Sequence, residues 1–130
     1  MNLKKVVLAS VALAILWCVM DFVIHGVLLA GQYMATAQLW RPMEEMSYVM
    51  NWGTIFVCAV LFVLFYNNVT QVKTVEQGTK FGFWYGLLAG VAMFSITIYM
   101  PVPQEIGIAW FFAGLSEAVA GGALVGYLLR

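Results

Sequence analysis

Four stretches of this chain, about 6–30, 48–67, 81–100 and 107–129, are almost continuously apolar. Each is close to the roughly 20 residues that cross a hydrocarbon layer about 30 Å thick as a helix. Four such stretches in 130 residues leave little from which to build a water-soluble surface. Charged side chains make up 9% of the chain, against about 25% in soluble domains. In lipid each segment must satisfy its own backbone hydrogen bonds, so the stretches predict helices. They do not alternate with period two, which excludes a transmembrane β-barrel. The expectation is an all-α integral membrane protein. It is a single four-helix transmembrane domain over residues 1–130, multi-pass in the lipid bilayer of a bacterial-type inner (plasma) membrane.

The basic residues give the orientation. With four spans, the N-terminus, the 68–80 loop and the C-terminus share one side, which holds Lys4, Lys5, Lys73, Lys80 and Arg130. The other side holds Arg41. Such an excess marks the cytoplasmic side, so both termini are expected to be cytoplasmic. Trp40, Trp52 and Trp110 then fall near the outer boundary, Trp84 near the inner one, and Trp17 beside the polar residues considered below. The first apolar run follows two lysines like a signal peptide. It lacks a small-x-small cleavage site, and Trp17 rather than a small residue precedes Cys18, so it is read as an uncleaved helix. Cys18 and Cys58 sit in apolar runs as small buried hydrophobes, not as a disulfide framework or zinc site. Segment 69–80 reads as a polar cytoplasmic loop and 101–107 as a tight outer turn. Segment 31–47 reads as an outer interfacial stretch. Within it, Pro42 followed by Glu44 and Glu45 looks like the start of the second helix near residue 42. The pattern does not decide whether 31–40 extends the first helix or lies along the interface.

Small residues recur at intervals of four in the last two segments: Gly82, Gly86 and Gly90, then Gly114, Ala118, Gly122 and Gly126. Stripes of this kind, a glycine zipper, let helix backbones approach in lipid. They serve contact within the chain or between copies, so a homo-oligomer or another membrane protein is an expected partner.

Few residues here can carry chemistry. Asp21 and His25, at i and i+4, share one face of the first helix. Glu117 lies well inside the fourth apolar run. Ionisable groups within a span normally face the bundle interior and find partners. Asp21, His25 and Glu117 are therefore expected to meet in one internal polar site, with Asn51, Ser95, Thr97 and Tyr99 as hydrogen-bonding contributors. The leading reading is a non-catalytic accessory or complex-forming membrane protein, in which this cluster fixes helix packing. The alternative is a small proton- or cation-coupled carrier or channel, with a proton shared between Asp21 and Glu117 and relayed outward by His25. A lesser alternative is copper handling, because Met43, Met46 and Met50 fall on one helix face at the outer mouth, near His25, and thioethers suit Cu(I).

No cofactor is expected. His25 is the sole histidine, which excludes bis-histidine haem ligation within one chain and leaves a His–Met pair as a formal option. The formal net charge is zero, which argues against a nucleic-acid partner. No phosphate-binding loop, dinucleotide fingerprint, zincin motif or nucleophile elbow is present, so nothing points to an enzyme. The plan of four short helices with an acid, Asp21, in the first resembles that of the small multidrug resistance transporters. The first-helix motif of that family is not found here. Fluoride channels share the size and span count, without their glycine-plus-arginine motif here. No family follows from these likenesses.

Overall fold

The computed structural model describes residues 2–130, and among them every regular element is helical. They are α1 (Leu3–Val23), α2 (Ala30–Ala35), α3 (Tyr48–Val69), α4 (Val75–Tyr99) and α5 (Gln104–Leu128). A π-helical turn, Ile24–Leu28, continues α1, and short 3-10 turns stand at Ala37–Leu39 and Met43–Glu45. Four helices are long and apolar enough to cross a membrane: α1 with its continuation to Leu28, α3, α4 and α5.

Capping chemistry explains where the helices begin. The second long helix does not start near residue 42. Pro42 and the two glutamates form an isolated 3-10 turn, and Met46 and Ser47 are extended. The true start is set by Ser47, whose Oγ accepts the Met50 N–H at 3.3 Å. Met43, Met46 and Met50 therefore do not share one helical face, and the copper reading loses its geometric basis. The third long helix starts earlier than its apolar run. Thr74 Oγ1 accepts the Gln77 N–H at 3.2 Å, and Glu76 pairs with Lys80 at 2.7 Å one turn on. Much of the expected 69–80 loop is thus helical. In what remains of it, Lys73 Nζ donates to the carbonyls of Asn67 (2.8 Å) and Thr70, closing the end of α3. Burial holds the Lys73 ammonium below its ordinary pKa.

The long helices run up and down. Lys5 Nζ donates to the Arg130 carbonyl at 2.7 Å, and Tyr66 Oη to the Thr74 carbonyl at 3.2 Å. Both chain ends and the 70–74 turn therefore lie at one end of the bundle, and segments 29–47 and 100–103 at the other. The most extensive interface is α4 against α5. A Cβ added at Gly78, Gly82, Gly122 or Gly126 would strike backbone of the facing helix, and at Gly86 the Leu115 Cα would be 2.9 Å away. The two stripes therefore meet each other within the chain. Gly114 is an exception, because a Cβ there has nothing within 4 Å. Residues four apart drift by roughly 40° on a helix of 3.6 residues per turn. From Gly126 the contact line has therefore rotated off Gly114 and onto Leu115 and Phe111. Gly78, hidden in a stretch that reads as loop, belongs to the stripe instead.

The core lies toward the terminal end. Leu13, Phe62, Val63, Tyr66 and Val125 are fully buried, and the Phe62 ring packs edge-on against Trp17, Phe81 and Tyr85. Toward the other end α3 stands clear: of residues 48–58 only Ile55 is even half-buried. Cys58, expected to be buried, is exposed there.

Candidate functional site

Asp21 sits in the last turn of α1, and directly after Val23 the backbone widens. The Leu29 N–H bonds the Ile24 carbonyl, five residues back, at 2.9 Å. Such π turns recur at functional sites, because the extra residue re-aims a side chain. Here the turn carries His25. The chain bends at the buried Leu29, and α2 brings Tyr33 against His25.

Tyr33 is the hub. Its Oη lies 2.6 Å from His25 Nδ1 and accepts the Trp110 indole N–H of α5 at 2.7 Å. An indole only donates, so the Tyr33 hydroxyl keeps its own proton, which His25 Nδ1 accepts when the imidazole is neutral and protonated on Nε2. Burial pushes the Tyr33 phenol above its ordinary pKa of 10.0, the Trp110 hydrogen bond pulls it down, and the Asp21 charge raises it. Tyr33 therefore keeps its proton at physiological pH. Accepting at Nδ1 places a neutral His25's proton on Nε2, which faces Asp21 Oδ1 at 3.6 Å. That separation is an electrostatic contact, too long for a hydrogen bond. Trp40 completes the cluster at the end away from the termini, edge-on to Tyr33 (centroids 5.4 Å apart) and to Trp110 (6.0 Å), with its indole N–H on Thr36 Oγ1 at 2.9 Å.

Glu117 reaches the same place from α5. Its carboxyl is near enough to Asp21 to feel its charge, and its Oε1 is buried with no partner. The Trp17 indole N–H donates to the Glu117 backbone carbonyl at 2.9 Å and ties α1 to α5 just beneath the cluster. The polar chain thus runs from Trp110 through Tyr33 and His25 to Asp21 and Glu117. It is open on one side, since the Asp21 and His25 side chains are each 35% exposed. Toward the terminal end it stops. Trp17, Leu13 and Phe62 follow, and the buried Ser10 hydroxyl turns to the Val6 carbonyl of its own helix at 2.9 Å.

The structure therefore brings Asp21, His25 and Glu117 together. It does not bring in Asn51, exposed in the first turn of α3. Ser95 and Thr97 bond the carbonyls of Ala92 and Phe94 in their own helix, and Tyr99 is exposed. Sequence reasoning missed Tyr33 and Trp110. Their signal was faint: a tyrosine eight residues past the histidine, and a tryptophan assigned to an interfacial belt. Among the described residues no three His, Cys, Asp or Glu side chains are arranged to hold a metal ion. No family model, curated protein or solved structure matches the chain.

Proposed function

We propose that this chain is a multi-pass inner-membrane protein with cytoplasmic termini, acting as a non-catalytic member of a membrane complex or homo-oligomer. The orientation is supported by the gathering of Lys4, Lys5, Lys73, Lys80 and Arg130 toward the end of the bundle that carries both termini, with Arg41 at the other. One observation carries the functional reading. The polar chain from Trp110 to Glu117 is partly exposed toward the end of the bundle opposite the termini and ends on an apolar plug of Trp17, Leu13 and Phe62. A one-ended site positions helices or holds a proton from one side; it does not pass ions across. The test is proton flux in liposomes under an imposed pH gradient. Leakage equal to protein-free liposomes is expected, and flux that Glu117→Gln abolishes would overturn the reading.

The second reading, a proton-coupled carrier, is favoured by the partnerless Oε1 of Glu117 beside Asp21. It requires an alternate packing in which the plug opens, and the same flux assay decides for it.

A further inference from the structure

Residues 30–40 cross the outer end of the bundle with few holds. Gly31, Gln32, Met34, Ala35, Ala37 and Gln38 are exposed. What fixes the segment is Tyr33, with Trp40 packed on it and on Trp110. The Tyr33 hydroxyl has one proton and needs one acceptor. Trp110 can only donate to it, and a neutral His25 with its proton on Nε2 offers Nδ1 as that acceptor. One hold on the strap, the Tyr33-to-His25 bond, thus depends on the protonation of a single imidazole.

We propose that residues 30–40 form a proton-sensitive strap over the Asp21–Glu117 cluster, latched at neutral pH by the Tyr33-to-His25 hydrogen bond and released when His25 is protonated. Protonation turns Nδ1 into a donor aimed at a hydroxyl 2.6 Å away. The Tyr33 proton then has no acceptor in this contact, while the imidazolium gains attraction to Asp21 through Nε2. The charge change therefore moves His25 from its α2 partner toward its own-helix partner. The groups that face His25 are few. Asp21 lies on its own helix and Tyr33 on α2; Glu117 of α5 stands behind Asp21, and Trp110 of α5 does not titrate. The π turn itself packs on α1 and α2. With the termini cytoplasmic, as proposed above, protons reaching the partly exposed Asp21 and His25 come from the outer medium, and the latch answers to it.

This inference rests on the outward-opening cluster proposed above and regulates access to it. The test is hydrogen exchange of the full chain in lipid nanodiscs at pH 8 and pH 5, with protection of amides 30–40 corrected for the intrinsic chemical rate. In the wild type, protection of 30–40 is expected to fall on acidification by about three- to tenfold, the range that one hydrogen bond's net contribution gives, while α4 and α5 stay unchanged. Tyr33→Phe should show the lowered protection at both pH values. His25→Gln, whose amide oxygen can still accept from Tyr33, should show no pH dependence. Unchanged wild-type protection overturns the latch. So does pH dependence surviving in His25→Gln, which would assign it to Asp21 and Glu117, or Tyr33→Phe protected like wild type at pH 8. Proton flux in liposomes would overturn the accessory reading and leave the latch standing, so the two failures are distinguishable.

Discussion

Replacing Gly122 with alanine adds one methyl group at the tightest place in the molecule. Its Cβ would press on the Gly78 carbonyl, 2.9 Å from the carbon, and lie 3.1 Å from the Gly82 Cα, where ordinary contact begins at 3.4 Å. Both neighbours are backbone, so no rotamer change relieves the overlap. Helices α4 and α5 must part by at least 0.5 Å there (3.4 − 2.9). Parting them loosens the contacts at Gly82, Gly86 and Gly126 as well, and overpacking of this kind costs about 1–3 kcal/mol. Gly114→Ala is the internal control. It lies on the same helix with nothing within 4 Å, and alanine favours a helix over glycine by up to about 1 kcal/mol in water. In unfolding titrations of both variants in one detergent, Gly122→Ala is expected below wild type and Gly114→Ala at or above it. The gap between them should be about 1–4 kcal/mol. If the two unfold together, or Gly122→Ala is the more stable, the backbones of α4 and α5 are not in contact and the main interface of this fold is wrong.

Trp17→Phe removes the indole bond to the Glu117 carbonyl and leaves a ring against Phe62 and Gly121; a destabilisation of about 0.5–1.5 kcal/mol is expected in the same titration, and no loss would mean that the bond does not form. For Tyr33 the fold favours the protonated phenol, so its contribution is complete below pH 10 and lost as pH rises through the elevated value. Absorbance titration at alkaline pH should show that the tyrosine missing from Tyr33→Phe is one that ionises above pH 10; ionisation at or below that value would contradict its burial against Trp110. With Cys18 and Cys58 replaced by serine, an impermeant maleimide on intact cells should label a cysteine at position 45 and not one at 76, and the reverse pattern would invert the orientation.

Much of this was legible in the sequence, and the exceptions have physical causes. Uninterrupted apolar length fixed the number of long helices, because nothing in those stretches competes with helix. Boundaries failed where two start signals lay close together. Pro42 with Glu44 and Glu45 resembles a first turn, but Ser47 supplies the bond to a free N–H and wins. Gly78 was hidden by the polar residues around it, since its role is set by α5 rather than by its own segment. Asp21, His25 and Glu117 were legible because charge is conspicuous in an apolar run. Asn51 was misassigned because polarity alone does not show that the first turns of α3 stand apart. Tyr33 and Trp110 were beyond the pattern: their meeting depends on the π turn at Ile24–Leu28 and the bend at Leu29, which shift the helical count that periodicity assumes.

The central claim is that Asp21 and Glu117, from helices at opposite ends of the chain, form one site. The direct measurement is an infrared titration of the Glu117 carboxyl stretch in lipid, assigned by its loss in Glu117→Gln and repeated in Asp21→Asn. A carboxyl that feels the charge of another titrates as part of a pair. The Glu117 midpoint is therefore expected to move, and its band to shift, when Asp21 becomes asparagine in a folded protein. An identical Glu117 titration with and without the Asp21 carboxyl would contradict it.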